Sequence, residues 1–324
     1  YWGDAPQNLT KIFSSRDDGK TWTFVTDIVP CFWGKLFWHG DALYLLGCAT
    51  ECGDLLLGRS TDFGRTWSAP IVLYEGGTRL TGGPMRSSLP VVEHKGRLWT
   101  SMDVGSYPVG YHDTVIVSAD AGADLMDKGA WVCSAPLRYD PAWPGTSKGA
   151  PRTGFLEGNM VVGPDGALYD ILRYETRGGD PSYGLAGMLK IDADHPDAAP
   201  AFHKVIPFEG NLSRFTIVRH EKSGLYFAMV SRVADEPTYY RGRLSLMRSR
   251  DLIHWEFMRD LLDVQPLCPK EWPTRTAFQY PDALLEGDTL LLVSRTAIFG
   301  AYNYHNANYI TFHREQGFRK TCGW

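Results

Sequence analysis

The stretches Ser15–Trp22 (SRDDGKTW) and Ser60–Trp67 (STDFGRTW) share one pattern, S-x-D-x-G-x-T-W, which we call the turn motif. Its residue types suit a tight turn: Asp and Ser bond nearby backbone groups, Gly supplies a positive φ, and Trp packs beneath a hairpin. A motif repeated at the spacing of one four-stranded unit is typical of a repeat architecture. We therefore expect a fold made of repeated β units.

A second marker recurs along the chain: a hairpin turn containing glycine between two short apolar strands. The glycines of these turns lie 56 to 70 residues apart, at Gly40, Gly96, Gly166, Gly224 and Gly287. Worn copies of the turn motif follow at Ser118–Asp120 and at Ser249–Trp255. Four antiparallel strands at this period predict an all-β fold, a β-propeller. We expect one domain over residues 1–324, with six blades, of which the first is incomplete unless residues 1–6 supply an inner strand.

Composition narrows the function classes. The chain has 324 residues with 11 Trp and 16 Tyr, which suits both a packed β core and sugar-stacking surfaces. Its net charge of −4 argues against a nucleic-acid partner, and no apolar run has the length of a membrane span. No signal peptide is visible and the chain starts at Tyr1, which we interpret as a processed or trimmed end. The compartment is not readable from that start; a secreted or periplasmic location is favoured.

The six cysteines are expected to be buried thiols, although an even number permits disulfides. The spacing of Cys48 and Cys52 suits a metal or a disulfide, but no second His or Cys pair follows at ligand spacing. No glycine-rich phosphate loop is present either. The sequence therefore predicts no metal and no cofactor.

Blade geometry separates the candidate site from the turn motif. The start of the first strand and the end of the second share one face of a propeller, whereas the turn motif lies on the other and is expected to be structural. The residues expected to meet at the mouth of the central channel, from these strand ends and the adjoining loops, are Arg86, Asp103, His112, Glu157, Arg173, Arg214, Arg232, Tyr280, Asp282, Arg295 and His305. Arginine is planar, permanently charged and bidentate toward carboxylates. Either an anionic ligand or the carboxylates of Asp103, Glu157 and Asp282 could be its partners.

With these features the chain resembles the sialidase superfamily of Asp-box (BNR-repeat) propellers. The similarity rests on the turn motif, the blade period, and the order Glu157, Asp165-Gly166, Arg173. It implies that Glu157 supports a tyrosine nucleophile and that Arg173 belongs to a triad gripping a substrate carboxylate. The Phe-Arg-Ile-Pro segment of sialidases is replaced by Met85–Pro90, and the residues around Tyr280 differ. We therefore expect a sialidase-like bacterial glycoside hydrolase rather than a clear sialidase.

The leading hypothesis is an exo-acting glycoside hydrolase on an acidic or uncommon sugar. Arg86, Arg173, Arg232 and Arg295 would hold the anion, with His112 and His305 as further binding residues. Asp103 and Asp282 are the acid/base candidates, and Tyr280 with Glu157 is the nucleophile pair. Two alternatives stay open: a polysaccharide lyase on uronic acids that uses Tyr111-His112 or Tyr304-His305, and a non-catalytic glycan- or protein-binding propeller.

Overall fold

The structure, a computed structural model, describes residues 8–151, 154–233, 241–267 and 273–321. Within these ranges the chain forms 22 strands in six antiparallel sheets. Helical structure in the same ranges is limited to two 3-10 turns, Lys128–Ala130 and Pro273–Arg275, and the short α1 (Phe318–Thr321). The all-β expectation is confirmed, and the sheets form a β-propeller.

The strands of the first sheets follow one another in the chain. A two-stranded sheet contains β1 (Thr10–Ser14) and β2 (Thr23–Ile28). Blade 1 contains β3 (Phe32–His39), β4 (Ala42–Cys48), β5 (Leu55–Ser60) and β6 (Ile71–Tyr74). In blade 2, β7 (Gly83–Met85) and β8 (Val92–His94) both pair with β9 (Arg97–Ser106), which leads to β10 (Tyr111–Asp120) and β11 (Trp131–Cys133).

The remaining three blades repeat the same up-and-down order. Blade 3 contains β12 (Phe155–Val162), β13 (Leu168–Tyr174), β14 (Leu185–Ile191) and β15 (Ala201–Pro207). Blade 4 contains β16 (Thr216–His220), β17 (Leu225–Ser231), β18 (Arg243–Ser249) and β19 (Trp255–Asp263). Blade 5 contains β20 (Ala277–Glu286), β21 (Thr289–Ala297) and β22 (Tyr309–Gln316).

The predicted number of six blades is not confirmed, because the described residues form five blades of three to five strands and the β1–β2 pair. The turn motif joins β1 to β2 as it joins β5 to β6, so β1 and β2 correspond to the outer strands of a blade. No inner strand pairs with them in the described part of the chain. Residues 1–6, the candidate inner strand, lie outside the described residues.

The turn motif uses its polar groups within itself. Asp62 accepts hydrogen bonds from the backbone N–H of Thr66 (2.9 Å) and from its hydroxyl (2.7 Å). The Trp67 indole donates to the carbonyl of Gly64 (2.9 Å), which has a φ of +83°. The first copy repeats these bonds around Asp17. This closed bonding pattern is that of a structural turn, on the opposite side of each blade from the inner-strand starts.

Apolar side chains between neighbouring blades form the core. Between blades 1 and 2, Leu46 and Leu57 pack with Met102 and Val115. Corresponding clusters join blade 3 to blade 4 and blade 4 to blade 5. Sheet-on-sheet burial of this kind orders the blades radially, which brings their first strands to a common axis.

Two fully buried arginines tie the inner strands together. The Arg214 guanidinium donates to the carbonyls of Ser88 in blade 2 and Pro281 in blade 5. Arg86 donates to the carbonyls of Leu89 (2.7 Å) and Leu46. Both arginines were expected at the channel mouth, but backbone carbonyls of neighbouring strands occupy their Nη groups. The assignment of Arg86 to the anion-binding set is therefore corrected: its contacts are structural.

We predict that Arg214→Ala lowers the free energy of unfolding by about 3 kcal/mol, because two buried carbonyls lose their donor. Arg232→Ala is the matched control, since that partly exposed arginine pairs with Glu209 and should cost about 1 kcal/mol or less. Urea denaturation of both variants measures the difference. Equal decreases in the free energy of unfolding would contradict the role of Arg214 in holding the inner strands of blades 2 and 5 together.

Candidate functional site

A pocket of about 370 Å³ opens where the inner strands meet, and residues from all five blades line it. This volume lies within the range of ligand pockets, roughly 300–1,000 Å³. The lining residues include charged, aromatic and apolar side chains: Trp33, Arg79, Met85, Asp103, Tyr107, Leu156, Glu157, Arg173, Glu175, Arg177, Arg241, Tyr280, Tyr304 and His305. The sequence predicts acidic and basic side chains together at the axis, and the structure has a cavity there that is lined by both kinds.

A backbone irregularity at three equivalent places aims side chains into this pocket. The inner strands β3, β12 and β20 each have a register shift against their second strand. At each shift a non-glycine residue adopts the left-handed region: Trp33 (φ +54°), Glu157 (+55°) and Tyr280 (+51°). Such residues cost about 1–3 kcal/mol each and cluster at functional sites, and bulges re-aim side chains.

Glu157 and Tyr280 meet in the pocket, as the sequence predicted. The Tyr280 hydroxyl lies near the Glu157 carboxylate, and its interaction lowers the pKa of that group. Arg173 Nη1 donates to Glu157 Oε2 (2.9 Å), while its Nη2 donates to Glu175 Oε2 (3.1 Å). Burial would raise the pKa of Glu157, but Arg173 and the Tyr280 hydroxyl outweigh it and the pKa falls. Burial and the Glu157 charge raise the pKa of Tyr280, so the phenol keeps its proton at rest.

Asp103 supplies a buried carboxyl group beside this pair. It lies on β9, and its Oδ2 accepts a hydrogen bond from the backbone N–H of Glu157 (2.9 Å). Burial raises its pKa well above the usual range, and the nearby charges of Glu157 and Asp170 add to the effect. This shift favours the protonated form of Asp103, the state that a general acid requires.

Asp170 is a buried carboxyl group that sequence reasoning missed. It lies on β13 and points over Gly158: a Cβ at Gly158 would come within 2.3 Å of both carboxylate oxygens. Burial raises its pKa to about 7, which the Ser101 hydroxyl offsets only in part. The available signal was an aspartate inside the otherwise apolar run LYDIL (168–172).

Arg241 lines the pocket together with Arg79 and Arg177, and Arg295 lies beside the lining residue Tyr280 without being a lining residue itself. Arg295 lies over the Tyr280 ring, with its guanidinium carbon 4.1 Å from the centroid, and its Nε and Nη2 have no hydrogen-bond partner among the described residues. Arg241 is buried, donates to Gln279 Oε1 (2.7 Å) and lies over the Tyr304 ring. Sequence reasoning missed Arg241 because it lies beyond the end of β17, not at the strand end where the pattern was sought.

Arg232 does not reach the pocket, contrary to the sequence prediction. Its Nε donates to Glu209 (2.6 Å), and its guanidinium lies over the ring of Phe257 on the outer strand β19. Ser231 takes the inward position at this strand end, where its hydroxyl bonds that of Ser213 (2.8 Å). Because side chains alternate along a strand, the next residue points away from the axis.

Asp282 lies two residues beyond Tyr280 but is not among the pocket-lining residues. Its carboxylate accepts a hydrogen bond from the Lys35 ammonium group, which is otherwise close to the cationic Arg86 and Arg214. Burial lowers the pKa of Lys35, and the Asp282 charge opposes that change. The geometry therefore favours Asp103 over Asp282 as the acid beside the nucleophile pair.

The two candidate histidines differ in position. His305 lines the pocket against Tyr304, and burial together with Arg241 and Arg295 lowers its pKa to about 3. His112 is buried beneath Tyr107, 5.0 Å between ring centroids, and burial lowers its pKa to about 4. Both rings are therefore neutral at physiological pH, and of the two only His305 lines the pocket.

The described cysteines do not form a metal centre. Cys31, Cys48 and Cys52 are buried free thiols, Cys133 is a partly buried one, and Cys268 and Cys322 lie outside the described residues. Within the described ranges no group of three His, Cys, Asp or Glu is arranged to hold a metal ion. The helices of those ranges are too short or too polar to cross a membrane.

Comparison with solved structures supports the propeller fold. The structure of Penicillium chrysogenum α-L-arabinanase with arabinobiose matches with a TM-score of 0.60 and 15% identity over 95% of this chain and 85% of that one. Phanerochaete chrysosporium exo-β-1,3-galactanase matches with a TM-score of 0.53 and 12% identity over 95% of this chain and 64% of that one. Lactobacillus brevis α-L-arabinofuranosidase matches with a TM-score of 0.52 and 12% identity over 89% of this chain and 91% of that one. No family model and no curated protein matches. At these identities the likeness concerns the fold, and these neighbours do not support the sialidase superfamily in particular.

We predict that Asp170→Asn makes stability less dependent on pH. The pKa of Asp170 is raised from 3.8 to about 7, so the folded protein holds this proton more tightly than the unfolded chain, and the free energy of unfolding falls as pH rises from about 4 to 7. Asparagine does not titrate, so the free energy of unfolding of the variant does not fall in this way. It should exceed that of the parent by up to about 4 kcal/mol at pH 8 and by almost nothing at pH 4.

Urea denaturation between pH 4 and pH 8 tests this prediction. Asp41→Asn, in the exposed turn between β3 and β4, is the control and should follow the parent at every pH. A difference between Asp170→Asn and the parent that stays constant across this range would contradict a buried, proton-binding Asp170.

Proposed function

We propose that this protein is an exo-acting glycoside hydrolase that removes an acidic sugar through a tyrosine nucleophile. The observation that carries the proposal is the placement of Tyr280 beside Glu157 inside the pocket, next to the buried Asp103 carboxyl group, which accepts a hydrogen bond from the backbone N–H of the same glutamate. Its glycoside-hydrolase part is further supported by the fold shared with the arabinanase and the galactanase.

The groups suit a two-step displacement. In the first step the Tyr280 oxygen attacks the anomeric carbon and passes its proton to Glu157, while Asp103 gives its proton to the departing glycosidic oxygen. In the second step Asp103 takes a proton from a water molecule as the water oxygen attacks the anomeric carbon. The bond from that carbon to the Tyr280 oxygen breaks, and the Tyr280 oxygen regains its proton from Glu157. Arg295, over the Tyr280 ring, stabilises the phenolate character that develops in both steps.

An anionic substrate follows from the charges around the pocket. Arg173 is occupied by Glu157 and Glu175, so its charge is balanced within the protein. Arg295 has two guanidinium nitrogens, Nε and Nη2, without a hydrogen-bond partner among the described residues, and Arg241 lines the pocket near it; these two would hold an anionic group. A tyrosine is also a better nucleophile than a carboxylate toward a negatively charged sugar, because it avoids repulsion. The predicted anion-binding set of Arg86, Arg173, Arg232 and Arg295 is therefore revised to Arg295, which already belonged to it, together with Arg241.

A lyase acting on uronic acids is the second candidate. His305 is neutral and lies in the pocket against Tyr304, which gives a base and an acid side by side. A lyase product carries a new C=C bond that absorbs ultraviolet light, whereas a hydrolase product does not. The two reactions are thus separable by one spectrum.

We predict that the protein releases terminal acidic sugars from sialylated or uronic-acid-terminated oligosaccharides with new reducing ends and no rise in ultraviolet absorbance. Tyr280→Phe should lower kcat/KM about a thousandfold or more, because it removes the nucleophilic oxygen. Tyr302→Phe, at an exposed tyrosine, is the matched control and should stay near the parent rate. Full activity of Tyr280→Phe would rule out this mechanism, and rising absorbance that depends on His305 would establish the lyase.

A further inference from the structure

Trp33 occupies the third of the three bulged positions, and the proposed chemistry does not use it. Its φ of +54° matches those of Glu157 and Tyr280, and all three side chains line the same pocket. A bulky residue in the left-handed region is a true conformational outlier, so the surrounding structure must hold it there. The same backbone irregularity that directs Glu157 and Tyr280 into the pocket therefore directs the indole of Trp33 into it.

The ring of Trp33 is fixed in orientation. Phe32 stacks on it with 4.6 Å between ring centroids and an angle of 19° between the planes, and the Tyr280 ring lies 6.2 Å away. Trp33 itself is only partly buried. In a pocket lined mainly by charged and polar groups it offers an apolar surface, which can pack against the C–H face of a sugar ring.

Three of the eight described tryptophans, Trp33, Trp38 and Trp143, have no acceptor for the indole N–H, and of these only Trp33 lines the pocket. Five others donate theirs to a backbone carbonyl: Trp22, Trp67, Trp99, Trp131 and Trp255. In the described structure Trp33 Nε1 has no such acceptor. Because Trp33 lines the pocket and its N–H has no acceptor among the described residues, this donor is available to a ligand hydroxyl.

We propose that Trp33 is a substrate-binding residue: its ring packs against the C–H face of the acidic sugar, and its N–H donates to a hydroxyl of that sugar. This inference rests on the proposed function, since it places the ring of the sugar on β3 and its anionic group near the arginines of blades 4 and 5. It specifies the substrate further, as a cyclic sugar unit with one apolar face and a hydroxyl at its edge.

Binding experiments test the inference without any turnover. The probes are N-acetylneuraminate, D-glucuronate and D-galacturonate, titrated by calorimetry and by ¹H–¹⁵N spectra of the indole groups, in which the Trp33 signal is identified by its loss in Trp33→Phe. We expect this signal to shift on binding, and Trp33→Ala to bind the same sugar about tenfold more weakly than the parent. Trp33→Phe keeps a ring and should lose less.

Trp38→Ala is the matched control, because Trp38 lies on the same strand but is exposed outside the pocket. It should bind like the parent. Trp33→Gly relieves the φ strain and serves as a second, well-folded variant should Trp33→Ala fail to fold, with the same expected loss. An unmoved Trp33 signal at saturation, unchanged affinity of the Trp33 variants, or no binding of the three sugars to the parent would overturn the inference.

The outcomes also separate this inference from the proposed function. Binding that depends on Trp33 without turnover of any acidic glycan would retain the sugar site and refute the hydrolase. Turnover that is unchanged in Trp33→Ala would retain the hydrolase and refute the role of Trp33.

Discussion

The ion pair between Arg173 and Glu157 is the interaction on which the site depends. Both side chains are buried, and a carboxylate without a counter-charge at that position would take up a proton instead. Burial raises the pKa values of Tyr280 and Asp103, and the charge on Glu157 raises them further. By holding Glu157 charged, the Arg173 guanidinium thus contributes to the protonation states of its neighbours.

Arginines near the axis fall into two classes that their bonding partners distinguish. Arg86 and Arg214 donate hydrogen bonds to backbone carbonyls and hold the inner strands together. Arg241 and Arg295 lie over aromatic rings at the pocket. The first class fixes the inner strands, and the second adds positive charge to a pocket that Arg79, Arg173 and Arg177 also line.

The sequence predicted the propeller and the meeting of Asp103, Glu157, Arg173 and Tyr280, because strand ends on one face must converge in a repeat fold. It could not predict the partners of a side chain. At the end of β17 the side chain that points inward is Ser231 and not Arg232. The pattern of residue types along the strand does not show which of the two points inward.

Trp33 and Asp170 were missed for a different physical reason. A bulge that turns Trp33 inward, and a glycine that makes room for a carboxyl group, are events of backbone geometry. Neither leaves a periodic signal in the residue types. The blade number was also beyond reach, because a repeated turn identifies an outer strand pair without showing whether its inner strands are present.

Gly158 has a consequence for how this pocket could change. The missing side chain is the space into which Asp170 extends from the neighbouring strand, directly behind Glu157. Any larger residue at 158 would need a shorter or absent carboxyl group at 170, so the two positions form a coupled pair. In related proteins a substitution at position 158 is expected to accompany one at position 170. A redesign of this part of the pocket has to change both positions together, because their side chains share one space.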